Sequence, residues 1–241
     1  MTDFAGGPLG RHRTMHGRVV DLLGARVVSG FYAENAQLPN ESDLAAELGV
    51  SRGGVREAVK ALAAKGLVDP RPRVGTRVLP RAAWNLMDPE VIGWHSTDSG
   101  FVRDLLELRL IVEPGAARLA AERTDAAQIA AMSAAYDAMA EHATRLPAAA
   151  AAFVAADLAF HLALLRASGN QLVEQLGRLL ETGLKHGLEA TSELPGGVER
   201  TLPMHRAVLD AVRRRRPEAA ARASRLLIET TAAAMAARTE S

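Results

Sequence analysis

Between Leu38 and Gly66 the chain is punctuated so closely that only short helices fit. Asn40 is a good helix N-cap, and Asp43, three residues later, completes a capping arrangement. Leu44, Ala45 and Leu48 then supply one buried face, and Gly49 ends the helix. Val50 bridges to Ser51, a second N-cap. The next helix runs over about 52–65, with Val55, Ala58, Val59 and Leu62 inward and Gly66 as its C-cap. Two short helices joined by Gly49-Val50-Ser51 have helix-turn-helix spacing. In that motif the second helix enters the major groove of DNA and its N-terminal residues reach base edges.

The flanking residues extend the motif. Val19, Val20, Leu22, Leu23, Val27 and Val28 give a preceding helix that stops at Gly30. Residues 67–70 and 76–79 can pair as a hairpin with Arg71-Pro72-Arg73-Val74-Gly75 at its tip, a basic wing beside the helix pair. Arg52 and Arg56 lie one turn apart on one face of the second helix, and arginine suits bidentate contact with guanine or phosphate. The net charge of +1 hides this patch, because residues 50–77 hold seven basic residues against Glu57 and Asp69. Such clustering is an electrostatic footprint of phosphate binding or, on charge alone, a solvated helix face.

Composition changes after Pro80. Residues 1–11 read as a flexible tail, 12–80 as a winged helix-turn-helix domain, 81–100 as a connector and 101–238 as a helical domain. The fold class is mainly α, with an all-α antiparallel bundle as the second domain. Its helices are expected over 101–122, 125–143, 148–168, 170–189, 198–215 and 217–238, with Pro114 kinking or breaking the first. The absence of Cys excludes a disulfide framework, a thiolate metal site and a cysteine nucleophile. The longest apolar run, Pro147–Ala156, stops at Asp157, too short to span a bilayer, and the start of the chain lacks an apolar signal region. A cytoplasmic location is expected.

Some polar residues stand where the helical period demands apolar ones. Phe153, Asp157, His161 and Leu164 share a stripe, which turns Asp157 and His161 inward one turn apart. An Asp and a His at that spacing can chelate one divalent ion, or simply bond each other. Leu202, His205, Val208, Leu209 and Val212 place His205 inside in the same way, either as a ligand or as a satisfied core histidine. Leu105, Arg109, Val112 and Ala116 do so for Arg109. A buried Arg needs an anion: a ligand carboxylate, Glu107, Glu113 or an acid on a neighbouring helix.

Leu38-Pro39-x-Glu41-x-x-Leu44-Ala45-x-x-Leu48-Gly49-Val50-Ser51-Arg52-x-x-Val55-Arg56-Glu57-Ala58, continued by Leu62, Gly66-Leu67-Val68 and Gly75-Thr76-x-Val78, resembles the winged-helix signature of GntR-type bacterial transcription regulators. The resemblance implies DNA contacts at Ser42, Ser51, Arg52, Arg56, Arg71, Arg73 and Gly75. The chain departs from the pattern at Gly53-Gly54, where family members usually carry side chains. Those glycines cost roughly 1 kcal/mol each in helix propensity.

Glu107-Leu108-Arg109-x-x-x-Glu113-Pro114, Asp157-x-x-Phe160-His161-x-x-Leu164, Ser168-Gly169-Asn170 and His205-Arg206-Ala207-Val208 resemble the FadR-like (FCD) ligand-binding domain of that family. This implies a divalent metal, Zn or Ni, beneath a carboxylate effector. Asp157, His161 and His205 match three of four metal ligands. The fourth position falls at Leu227, which implies weaker affinity. Trp84-Asn85-Leu86-Met87-Asp88-Pro89-Glu90-Val91-x-x-Trp94 and Thr201-Leu202-x-x-His205 are similar to the galactonate-operon repressor group, which answers to sugar acids. The resemblance thus implies a homodimeric DNA-binding repressor with Arg109, Asp157, His161 and His205 around a small carboxylate, no membrane partner and no catalysis. Two alternatives stand beside it: a metal-dependent enzyme acting on a small carboxylate, for which no general base or nucleophile accompanies the cluster, and an architectural DNA binder without sequence preference.

Overall fold

The computed structural model describes residues 15–95, 99–177, 181, 185 and 196–239. The tail expected over 1–11 and much of the second half of the helix expected over 170–189 lie outside the described residues; residues 171–177 are helical. The chain divides into two compact units, Met1–Asp98 and Ser99–Ser241.

In the first unit, α1 (Met15–Val28) buries Val19, Val20, Leu23 and Val27. Asn40 opens α2 (Glu41–Leu48) by accepting the N–H of Ser42 at 2.9 Å and of Asp43 at 3.0 Å. The expected return contact takes another form: the Asn40 side-chain amide donates to the Asp43 carboxylate at 2.7 Å. Gly49 closes α2 in the left-handed region, at φ 65°, where only glycine sits without strain. Ser51 caps α3 (Arg52–Ala64) by accepting the Gly54 N–H at 3.1 Å. Val55, Ala58, Val59 and Leu62 are buried against α1 and α2, as their spacing predicts. Fully burying each large aliphatic side chain stabilises the unit by about 1.5–3 kcal/mol.

The wing forms from β1 (Val68–Arg71) and β2 (Gly75–Val78), antiparallel, with Val68 opposite Val78 and Arg71 opposite Gly75. Each strand lies one residue nearer the tip than the hydrophobic pattern suggests. A further backbone segment runs along β2: Leu38 N–H donates to Thr76 at 2.8 Å, and Val78 N–H to Ala36 at 2.9 Å.

The segment expected to be a connector folds onto this unit through residue 95. Trp84 is buried and donates its indole N–H to the Leu79 carbonyl at 2.9 Å. The short helix α4 (Pro89–Trp94) buries Val91 and Ile92. Lys65, just past α3, reaches Asp88 at 2.7 Å and Glu90 at 2.6 Å. Trp94 occupies the space that Gly24 of α1 leaves open, and donates to Asp21 at 3.2 Å.

The second unit comprises α5 (Ser99–Arg123), α6 (Ala126–Ala143), α7 (Ala150–Ala167), residues 171–177, α8 (Gly197–Arg213) and α9 (Pro217–Thr239). The helix expected to be kinked or broken at Pro114 runs on without a break. Proline removes one helical donor, so the Leu110 carbonyl loses its intrahelical partner. Packing of α5 against α7, α8 and α9 carries the helix through that defect. Asp125 and Gln128 form a reciprocal capping box at the start of α6. Ala116, Ala117, Ala120 and Ala121 line the buried side of α5, and these small residues allow close approach to a core of Met132, Phe153, Phe160 and Leu209. Among the described helices, α7 alone is long and apolar enough to cross a membrane on length and composition. It is a core helix, packed on α5 and α6 and largely buried.

Candidate functional site

Four of the polar residues that break the apolar periodicity converge inside the second unit. Asp157 and His161 lie one turn apart on α7, His205 on α8 and Arg109 on α5, each no more than 6% exposed. His205 Nε2 stands 3.1 Å from Asp157 Oδ1, His161 Nε2 3.3 Å from the same oxygen, and the two Nε2 atoms 3.4 Å apart. Donors about 2.0–2.1 Å from a tetrahedral ion lie about 3.3–3.4 Å from one another, so this triangle has the dimensions of one face of such a site.

The hydrogen bonds orient both rings for that task. His161 Nδ1 donates to Glu113 Oε2 at 2.8 Å, and His205 Nδ1 to the Thr201 carbonyl at 2.9 Å. Both rings thereby turn Nε2 toward Asp157, the outer-shell arrangement that fixes metal-binding histidines. Asp157 Oδ1 is buried and accepts no well-aligned hydrogen bond, an orphan that is costly unless a cation takes it. Two imidazole nitrogens and a carboxylate oxygen suit Zn or Ni. The donors present therefore fit a divalent ion. Phe160 stands edge-on to His205 at 5.1 Å and to His161 at 6.0 Å, and closes one side with an apolar wall.

Arg109 has taken one of its possible anions. Its Nε is 2.7 Å from Glu113 Oε1, with both side chains nearly inaccessible. Its Nη2 lies 3.0 and 3.3 Å from the two His161 ring nitrogens. The guanidinium therefore stands beside the same Nε2 atom that faces Asp157. Glu113 thus serves both Arg109 and His161, a role its position one turn after Arg109 on the same inward face foreshadows.

Burial pushes the Glu113 carboxyl up, but the charges of Arg109 and His161 outweigh it and hold the group at about 2. Asp157 is likewise driven well below the usual carboxylate range, against its burial, by His205 and His161. Burial disfavours the His161 cation, yet Glu113 and Asp157 raise its pKa above the ordinary histidine value. Leu227, where a fourth ligand is expected, is buried on α9. Its neighbours one turn away on that helix, Ser224 and Thr231, are buried polar residues, which periodicity alone did not single out.

The expected nucleic-acid contacts all lie in the first unit. Arg52 is exposed at the first position of α3, Ser42 is half-buried in the first turn of α2, and the Ser51 hydroxyl is engaged as a cap. Arg56 is exposed but held: its Nε lies 3.1 Å from both Glu41 oxygens and its Nη2 2.7 Å from Oε2. Their hydrogen bonds lower the pKa of Glu41 and raise that of Arg56. Arg71 pairs with Asp69 at 2.7 Å on the wing. Arg73, at φ 63°, and Gly75, at φ 103°, form its exposed tip, and a Cβ on Gly75 would strike Gln37.

Residues 16–78 match the model described as bacterial regulatory proteins, gntR family, and residues 104–230 that of the FCD domain. The chain is 32% identical to the uncharacterized HTH-type transcriptional regulator YieP of Escherichia coli (strain K12), over 88% of this chain and 91% of that protein. It is 32% identical to the galactonate operon transcriptional repressor of the same organism, over 89% and 93%. Among solved structures, a Streptococcus agalactiae GntR aligns over 91% of this chain and 99% of that one, with TM-score 0.51 and 25% identity. The Listeria monocytogenes Lar protein shares the fold at TM-score 0.63 and 19% identity, over 94% and 99%.

Proposed function

The chain belongs to the gntR family of bacterial regulatory proteins and carries an FCD domain, and from that premise we propose that this DNA-binding regulator of transcription is a cytoplasmic, homodimeric repressor released from its operator by a small carboxylate, most simply a sugar acid such as galactonate. Its family and relatives are regulators of transcription, so the protein is no enzyme. The observation that carries the effector reading is the buried triangle of Asp157, His161 and His205 with its orphaned Oδ1. The likeness to the galactonate operon repressor supports the choice of a sugar acid.

Asp157, His161 and His205 would hold the metal, which when bound supplies a Lewis-acidic point for carboxylate and hydroxyl oxygens. Glu113 keeps His161 in the required tautomer, and the Thr201 carbonyl does the same for His205. Arg109 adds positive charge beside the site, already half-committed to Glu113. In the first unit, Arg52, Arg56 and the Arg71–Gly75 wing face operator DNA, with Ser42 and Ser51 beside them. Two such heads read a pseudo-palindrome.

Gating follows from linkage. An effector that binds one arrangement of the two heads better than the other shifts their population, by no more than its differential affinity. The segment through His95 is bound to the head by Lys65, Trp84 and Trp94, so a displacement beyond it acts on the whole head. The test is a thermal-shift series with sugar acids and other small carboxylates, with and without Zn²⁺ or Ni²⁺, since a bound ligand stabilises the fold by mass action. A metal-dependent shift with a sugar acid is expected. A shift independent of metal, or none with any carboxylate, contradicts the reading.

A further inference from the structure

Hydroxyls buried in a helix commonly satisfy themselves on their own backbone. Ser133, Thr201 and Thr231 do so, each donating to the carbonyl four residues back. Ser224 of α9 has the Ala220 carbonyl at the same offset and does not take it. Its residue is 1% exposed, and its Oγ is buried with no hydrogen-bond partner. A buried hydroxyl without a partner costs stability. Ala220, Ser224, Leu227, Ile228 and Thr231 form the buried stripe of α9, and that helix packs on α5 and α8. Ser224 thus stands on the side of α9 turned toward the two helices that carry Arg109, Glu113 and His205.

The register of the bundle sets its height. Arg118 of α5 meets Glu218 of α9 at 3.1 Å, and Arg215 donates to the Glu122 carbonyl at 3.3 Å, so α5 and α9 run antiparallel. Glu113 lies nine residues before Glu122, and Ser224 nine residues after Arg215. At an equal rise per residue the two share one level, to within about one turn. The short turn between α8 and α9 gives the same height: His205 lies nine residues before Arg214, and Ser224 nine after Arg215. On the reading of the Asp157, His161 and His205 triangle as an effector site, we infer that Ser224 is a specificity-determining residue of that site. Its hydroxyl bonds a hydroxyl of the ligand and selects polyhydroxy acids over acids that lack the group. The orphaned Asp157 Oδ1 calls for a cation and the orphaned Ser224 Oγ for a neutral polar partner. A metal-bound hydroxylated carboxylate meets both needs. A site built to bond a hydroxyl rejects the analogue without it, because its own group is then left unpaired.

The test is isothermal titration calorimetry of the full-length, Zn²⁺-loaded protein with galactonate and its monodeoxy analogues, in wild type and Ser224→Ala. Galactonate affinity falls about tenfold or more in the variant. Wild type binds one monodeoxy analogue weaker than galactonate by a similar factor, and in the variant that difference disappears, the signature of a pairwise contact. The thermal midpoint of the unliganded variant holds or rises, because an unsatisfied hydroxyl is gone and alanine is the better helix former. A merely structural serine lowers the midpoint instead. Galactonate affinity at the wild-type level overturns the inference, and so does a fall in the unliganded midpoint alongside the fall in affinity. If wild type binds neither galactonate nor any analogue, the reading of the triangle as an effector site fails, and the role of Ser224 fails with it.

Discussion

Glu113→Gln removes one negative charge from the cluster and keeps its shape. The amide oxygen still accepts the His161 Nδ1–H, while the Arg109 guanidinium, nearly inaccessible, loses its counter-charge. Breaking a buried pair in this way costs about 3–5 kcal/mol. Linkage gives a similar figure. A carboxyl held at about 2 when folded, against an ordinary 4.5, contributes about 3 kcal/mol at neutral pH. Its folded pKa is depressed, so this contribution is fully present above pH 4.5. It then declines by about 1.4 kcal/mol per pH unit as the pH falls toward 2, because the unfolded chain takes the proton first. Urea titrations of wild type and variant, followed by far-UV circular dichroism from pH 7 to 3.5, measure the gap. The expected result is a variant several kcal/mol less stable at pH 7, with the gap narrowing only below pH 4.5. A neutral variant, or a gap independent of pH over that range, refutes the electrostatic account of the cluster.

Other outcomes follow from the same geometry. Asp157→Asn replaces the charged oxygen shared by both histidines with a neutral amide, and Zn²⁺ affinity measured by chelator competition falls by about a hundredfold or more. Leu227→His restores the ligand that the family resemblance places there and tightens Zn²⁺ binding in the same assay; unchanged affinity shows that Leu227 faces elsewhere. His161 keeps its proton above the ordinary histidine range, so the metal competes with that proton, and Zn²⁺ affinity rises with pH up to about tenfold per unit through neutrality. Arg52→Ala weakens binding to an operator duplex selected by the wild-type protein, and if its partner is a phosphate the slope of log K against log salt decreases in magnitude by about one.

Local signals in the sequence carried the first unit far. Asn40, Gly49 and Ser51 act as the caps their chemistry predicts, and the inward faces of α1 and α3 follow from periodicity. Long-range partners were not legible. Lys65 reads as one more surface cation until α4 brings Asp88 and Glu90 to it, and Arg56 reads as free until Glu41 folds beside it. The supposed connector belongs to the head because Trp84 and Trp94 find a carbonyl and a glycine gap that only the fold supplies. Pro114 fails to break α5 because packing along the helix outweighs one missing hydrogen bond.

In the bundle, Asp157, His161, His205 and Arg109 are legible as polar residues on apolar stripes, since burying them needs partners. Glu113 is legible only as one of several acids within reach of Arg109. That Glu113 serves two groups at once depends on the distance between α5 and α7, which periodicity does not encode.

The central claim is that a carboxylate held in the bundle controls the grip of the winged helix on DNA. It is tested most directly by fluorescence anisotropy of a labelled, protein-selected operator duplex, titrated with galactonate and related sugar acids in the presence of Zn²⁺. Wild type is expected to release the duplex at a saturable sugar-acid concentration, and an Asp157→Asn protein to bind the duplex as well but not let go. A complex indifferent to every sugar acid, or an Asp157→Asn protein released as readily as wild type, contradicts it.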